Sequence, residues 1–342
     1  MLAAVLHAAG DLRVEQTATP EPGPGEALVR VRACGICASD VTRIFVTGAY
    51  SFPLVPGHEF AGDVERLGPD AAGLEPGMRC TVYPLIPCGA CDPCRAGRPH
   101  LCDAYDYLGS RTNGAFAEYV VAPAHNCIAL PPEVDYAAGA LAEPCAVALH
   151  AVRRAGVRLA DVVAVFGAGP IGVVIGLLCR PAGARVMMLD VDERKLEAAR
   201  RFGLDEVLDA RGGADAVRAA TGGRGATVVF EAAGMPAAFR DAAASAAKRG
   251  TVALVGNMAG EVTLPEAEYS ALLRREVRAV GSWNSIPWGR AHNDWSAVLE
   301  LTAAGRLAAG KLVSHRFPLA RVSEALALMR SGEFHHRVLL EM

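Results

Sequence analysis

Lysine is nearly missing: Lys195, Lys248 and Lys311 are the only three in 342 residues. Arginine carries the remaining basic charge, no run of five basic residues occurs, and the formal net charge is −3. A surface that binds polyphosphate needs a dense positive field, so nucleic acid is not an expected partner. No apolar stretch reaches the roughly 18 residues that cross a bilayer, so no membrane-spanning helix is expected. Met1 to Gly10 shows neither a basic leader nor a small-residue cleavage site, which makes the cytoplasm the expected compartment. Aromatics are scarce at 6% and charged residues modest at 21%, yet hydrophobic residues reach 52%, a balance that excludes a disordered chain. The length suggests two domains rather than one small module.

No repeat of about 20–50 residues and no low-complexity linker is visible. The first third holds short β-prone runs between Gly/Pro turns, such as Ala27–Ala33 after Pro22-Gly23-Pro24-Gly25 and Gly62–Leu67 before Gly68-Pro69. These predict a β-barrel-like unit. From about residue 146 the pattern changes to short apolar runs alternating with helical stretches. The runs are Asp161–Phe166, Arg185–Asp190, Ala226–Phe230 and Thr251–Gly256; helices are expected from Ile171 to Cys179, around Glu193–Arg200 and over Pro236–Lys248. Such alternation gives βαβ units and a doubly wound parallel sheet, an α/β fold. After Ser285 the alternation fades into a helix within Trp288–Gly305, another over Val322–Ser331 and a last strand at Arg337–Glu341. The expected domains are residues 1–145, with 286–342 packing back on them, and a dinucleotide-binding domain over 146–285.

Gly167-Ala168-Gly169-Pro170-Ile171-Gly172 follows a predicted buried strand and opens a helix. Gly167 allows the tight turn, Gly169 lets a pyrophosphate approach the backbone, and Gly172 permits close helix–sheet packing. The helix that Pro170 opens supplies N–H donors from Ile171 onward. Asp190 ends the next strand 18 residues past Gly172, near the usual offset of about 20. Its carboxylate can accept from ribose hydroxyls and would repel a 2′-phosphate, which points to NAD+ rather than NADP+.

Four of the ten cysteines, Cys88, Cys91, Cys94 and Cys102, fall within 15 residues. Four thiolates in one Gly/Pro-containing loop make a closed tetrahedral site for a structural Zn2+. A second, dispersed set is Cys37, His58, Glu59 and Glu143. Cys37 and His58-Glu59 stand at turns between β segments, and Glu143-Pro144 precedes the βαβ half. Mixed Cys/His/carboxylate ligation leaves an open position, the property of a catalytic zinc.

Taken together, Cys37-x-Ser39-Asp40, Gly57-His58-Glu59, the four-cysteine loop and the nucleotide turn resemble the zinc-dependent medium-chain alcohol dehydrogenases, from the N-terminus to about Leu340. Glu143-Pro144 through Leu149-His150 is similar to the sorbitol (polyol) dehydrogenase branch, where a glutamate replaces a third cysteine ligand. Arg43-Ile44-Phe45, Tyr105–Arg111 and Gly281-Ser282-Trp283 resemble the galactitol-1-phosphate 5-dehydrogenase subfamily. The resemblance implies a GroES-like catalytic domain, an inserted Rossmann domain with the active site in the cleft, two zinc ions per chain, NAD+, and a homodimer or homotetramer. The reaction it implies is hydride transfer from a secondary alcohol of a polyol or polyol phosphate. The branch also includes dehydrogenases of cyclitols and aminoglycoside sugars, so those remain as alternatives, as does a non-catalytic nucleotide-binding regulator.

The same resemblance makes Cys37 and His58 zinc ligands, with Glu59 or Glu143 binding directly or through water. Ser39 would pass the hydroxyl proton outward, or is a turn serine. Asp40 would orient His58, or caps the turn. The relay histidine usual five residues past the cysteine is replaced by Thr42. Val147 matches a residue packing on the nicotinamide, Lys195 one reaching the ribose, and Val255, Ser282 and Asn284 loops around the carboxamide. Arg43 and Arg111 can clamp a substrate phosphate or form ordinary surface ion pairs. Trp283 and Trp288 can wall the substrate site or simply pack. His150, His335 and His336 read as structural or solvated.

Overall fold

The computed structural model describes residues 1–288 and 293–342, and the chain divides into two compact units. One comprises Met1–Pro144 with Ile286–Met342, and the other Cys145–Ser285.

The first unit begins with the hairpin β1 (Leu2–Ala8) and β2 (Asp11–Gln16), followed by β3 (Glu26–Gly35). Helix α1 (Ala38–Thr42) then runs into a π-helical turn over Arg43–Thr47. After it come β4 (Glu59–Leu67), β5 (Arg79–Val82), β6 (Leu85–Ile86), α2 (Asp92–Arg95), β7 (Asp106–Tyr107), β8 (Tyr119–Pro123), β9 (Cys127–Ala129) and α3 (Tyr136–Ala140). Strand β3 is the hub, because it pairs antiparallel with β4 on one side and with β8 over its first half. Its alternation buries Val29 and Val31 against Phe60, Val64 and Phe116 while Arg30 faces out. From Val29 to Ala33 burial alternates residue by residue, as in a strand with one face on the core.

Helix α4 (Ala142–Ala155) leads into the second unit, which continues with β10 (Val162–Phe166), α5 (Pro170–Cys179), β11 (Arg185–Asp190), α6 (Glu193–Arg201), β12 (Val207–Asp209), α7 (Gly213–Ala220), β13 (Ala226–Glu231), α8 (Pro236–Ser245), β14 (Ala246–Leu254), α9 (Glu266–Arg274) and β15 (Arg278–Gly281). The sheet order is β12-β11-β10-β13-β14-β15, with every pair parallel. Strand order reverses beside β10, the switch point where such sheets bind ligands. Helices on both faces explain why β10, β11 and β13 read as continuous apolar runs. Phe166, Met187, Leu189 and Val229 are fully buried there.

The chain returns to the first unit with α10 (Asp294–Ala303), β16 (Val313–Pro318), α11 (Val322–Arg330) and β17 (Arg337–Glu341). Strand β17 pairs antiparallel with the end of β3, so the last strand of the chain borders the Gly35–Cys37 turn. The helix expected within Trp288–Gly305 is α10; residues 289–292 of that stretch lie outside the described residues. Among the described residues no helix is long and apolar enough to cross a membrane.

Candidate active site

Three chain segments meet where β3 ends. Cys37 caps α1, and His58 immediately precedes β4, which Glu59 opens, so the pairing of Gly35 with Glu59 brings residues 37 and 58 together. One donor atom from each of Cys37, His58 and Glu59 lies within 4.8 Å of the other two. His58 and Glu59 are 5% and 1% exposed, and buried donors of this kind need a partner of opposite charge. A sulfur, an imidazole and a carboxylate that converge are a donor set that fits a borderline ion such as zinc.

The surrounding groups fix the donors. Asp40, fully buried, has Oδ1 3.2 Å from His58 Nδ1, while its Oδ2 accepts the Cys37 backbone N–H at 3.0 Å. This leaves Nε2 as the free ring nitrogen of His58. Burial disfavours the charged imidazole, yet the carboxylate of Asp40 outweighs it and the His58 pKa is raised. Arg337 of β17 donates from Nη1 to both oxygens of Glu59, at 2.8 and 3.1 Å. Glu143 stands beside the set rather than within it: its Oε1 accepts the Tyr107 hydroxyl at 3.3 Å. Burial above all, and the charge of Glu59, raise the Glu143 carboxyl to about 7 against the opposing pull of His58 and Arg337. The expected four-residue set is therefore met in three, and the nearer carboxylate is Glu59.

A histidine ligand held through its second nitrogen yields a direct expectation. Asp40→Ala should weaken the holding of a metal ion at Cys37 and His58 by about 10–100-fold, the usual cost of losing such a partner. Competition with a chromophoric chelator measures it; unchanged retention would reduce Asp40 to a helix cap.

The Cys88, Cys91, Cys94 and Cys102 sulfurs also lie within 4.8 Å of one another. Cys91 caps the single turn of α2, which turns Cys94 back toward it. Tetrahedral zinc with sulfur bonds near 2.3 Å spaces its sulfurs by about 3.8 Å, and Cys91 and Cys102 Sγ are 3.8 Å apart. Backbone N–H groups of Ala90 and Cys91 lower the Cys88 thiol to about 6, whereas burial and the neighbouring thiols raise Cys94 to about 12. The geometry and the donors fit a structural zinc.

In the second unit, Gly167 has φ +108°, and a Cβ there would meet the Ala233 backbone N at 2.8 Å. A Cβ on Gly172 would lie 1.8 Å from the Gly167 carbonyl oxygen, while over Gly169, which caps α5, there is open space. Asp190 Oδ2 accepts the Ala168 N–H at 2.9 Å, Oδ1 accepts from Asp192 at 3.0 Å, and Lys195 Nζ stands 3.7 Å away. Each glycine thus has the steric reason that a dinucleotide turn requires.

A model of the alcohol dehydrogenase GroES-like domain matches residues 23–132, and one of the zinc-binding dehydrogenase domain matches 170–304. Galactitol 1-phosphate 5-dehydrogenase of Escherichia coli K12 is 32% identical over 339 residues, covering 97% of both chains. This chain belongs to the zinc-binding alcohol dehydrogenases. L-idonate 5-dehydrogenase of Vitis vinifera is 34% identical, over 97% of this chain and 92% of its own. The crystal structure of galactitol-1-phosphate dehydrogenase from Escherichia coli superposes with a TM-score of 0.94 at 31% identity, over the whole of both chains.

Within this dehydrogenase the remaining expected residues fall out as follows. Ser39 is half-exposed on α1, two residues past Cys37. Val147 is the one residue between Leu141 and His150 that is not buried. Val255 follows β14, its N–H on the Glu231 carbonyl, and Ser282 follows β15 with a buried Oγ that has no hydrogen-bond partner. Asn284 has φ +54°, and its Oδ1 accepts the Ser285 N–H. Arg43 and Arg111 have different neighbours. Arg43 Nη1 is 3.4 Å from Asp40, three residues back along the same helical stretch, and Arg111 stacks on aromatic rings instead. Trp288 packs on Tyr83 and donates its indole N–H to the His125 carbonyl, while Trp283, in the other unit, is 49% exposed. Sequence reasoning missed Arg337 and Tyr107 as partners of the site's carboxylates. It also missed Glu231, which holds the Ala233 and Gly234 N–H groups at the end of β13. The one signal for Arg337 was a lone basic residue opening an apolar final strand.

Proposed function

We propose that this protein oxidises a secondary alcohol of a polyol or polyol phosphate to the ketone, with hydride passing to NAD+ and one proton released. The convergence of Cys37, His58 and Glu59 carries this reading, in a chain that also has the dinucleotide turn at Gly167. Held by those three residues, zinc would supply a Lewis acid that favours the alkoxide form of a bound alcohol at neutral pH. Asp40 keeps the His58 ring oriented, and Arg337 offsets the Glu59 charge so that two carboxylates can share one buried region. The Tyr107 hydroxyl holds Glu143 in reserve beside them. Ser39, half-exposed, is the group that hands the alcohol proton toward solvent. Asp190, with a backbone N–H on each oxygen, favours ribose hydroxyls over a 2′-phosphate. A homodimer or homotetramer is part of the proposal; β15 closes one edge of the parallel sheet with Arg278 and Ala279 exposed, an edge open to a second copy.

The test combines metal analysis with turnover. Purified protein should hold two zinc ions per chain and generate NADH from polyols, with NADP+ at least about tenfold less efficient, the effect of one unfavourable charge contact. Activity in protein that carries only the four-cysteine zinc, or no NADH from any alcohol by fully zinc-loaded protein, would overturn it.

A further inference from the structure

Resting on the oxidoreductase reading above, we infer that Arg111 selects substrates whose carbon chain ends in an oxyanion, a phosphate or a carboxylate. The turn that carries Arg111 starts at Tyr107, whose ring stands edge-on to His58 with centroids 5.6 Å apart. It is tightly built: the N–H groups of Arg111 and Thr112 both return to the Tyr107 carbonyl, at 2.9 and 3.2 Å, and Gly109 N–H bonds the Thr112 carbonyl at 2.8 Å. The same turn is pressed against the residue before His58. A Cβ on Gly109 or Gly114 would lie 2.5 or 2.1 Å from the Gly57 carbonyl oxygen, which itself accepts the Ala115 N–H. The backbone at Arg111 is therefore fixed with respect to the candidate zinc donors.

The side chain is fixed as well. Its guanidinium lies 4.5 Å from the ring centroid of Tyr50 and 4.5 Å from that of Tyr105, and Tyr105 in turn stands 6.3 Å from Tyr107. Stacking uses the faces of a guanidinium and leaves its N–H fork, in the plane, available to a planar or tetrahedral oxyanion. Among the described residues no carboxylate takes that fork, whereas Arg43 is committed to Asp40. A cation held in place by aromatic faces, half-exposed and without a counter-ion, is preorganised for an anion that arrives with the substrate. A substrate that reached both features would place a hydroxyl at Cys37 and His58 and its terminal oxyanion at Arg111.

The experiment compares kcat/KM for galactitol 1-phosphate, L-idonate and neutral galactitol with zinc-loaded wild type, Arg111→Ala, Arg111→Gln and Arg111→Lys, at saturating NAD+. The wild type should favour at least one of the two anionic substrates over galactitol. Arg111→Ala and Arg111→Gln should each lower the anionic-to-neutral ratio by about 30–100-fold, chiefly through KM, and Arg111→Lys should recover part of it. A response to phosphate alone or to carboxylate alone identifies which oxyanion is read, and both outcomes support the assignment. An unchanged ratio, or a wild type that prefers galactitol, overturns the role of Arg111 and leaves the dehydrogenase reading standing. NADH from none of the three overturns the role of Arg111, and the dehydrogenase reading falls with it only if no other alcohol yields NADH either.

Discussion

A His58→Ala protein is expected to lose alcohol turnover by about 1,000-fold while still holding one zinc ion per chain. The imidazole is 5% exposed, and it is the one nitrogen donor among the three that converge. Its removal leaves the Cys37 sulfur and the Glu59 carboxylate without a third ligand, and leaves the buried Asp40 carboxylate with only Arg43 and the Cys37 backbone N–H. A Lewis acid contributes several kcal/mol to alkoxide stabilisation, and each 1.36 kcal/mol is a factor of ten in rate, which gives the expected loss. The dinucleotide turn lies in the other unit of the chain, so NAD+ binding measured by calorimetry should persist. Metal analysis and steady-state rates decide the matter. Two zinc ions per chain after the substitution, or a rate loss below tenfold, would remove His58 from the ligand set and with it the proposed chemistry.

The parts of this site that were legible in the sequence are those in which neighbours along the chain are also neighbours in space. The four cysteines and the Gly167–Gly172 turn are local spacings, and their steric logic reappears unchanged in the structure. Choosing between Glu59 and Glu143 was not a local question. It depends on Tyr107, 36 positions from Glu143, and on Arg337, 278 positions from Glu59. The ion-pair alternative for Arg43 was a local one: Asp40 lies three residues back on the same helical stretch, where i, i+3 neighbours meet. In the fold, β10, β11 and β13 announced themselves because both faces of each are covered. Strands β12 and β15 did not. They edge the sheet, fully bury none of their residues, and are only three and four residues long. Helices α7 and α9 were missed on similar grounds, being short and interrupted by exposed charge.

The second large effect concerns a segment with almost no core of its own. Between Cys88 and Cys102 only His100 and Cys102 are buried, and the regular structure amounts to the four residues of α2 and a three-residue 3₁₀ turn at Pro99–Leu101. Ordering some fifteen residues costs roughly 1–2 kcal/mol each in backbone entropy, which so little burial does not offset. A structural zinc ion contributes about 10–16 kcal/mol in isolated zinc-finger peptides, a large share of that cost. Cys94→Ser should therefore hold one zinc ion per chain, and amide protection across residues 88–102 should fall by at least about 1,000-fold in hydrogen exchange. Trypsin should then cut after Arg95, which is exposed, lies inside the loop and is followed by Ala96. The barrel strands β3 and β4, with Val29, Val31, Phe60 and Val64 fully packed, should keep their protection, which separates loss of the loop from loss of the fold. If residues 88–102 stay protected in Cys94→Ser, the order of the loop comes from its packing against the barrel, and the four sulfurs are not what holds it.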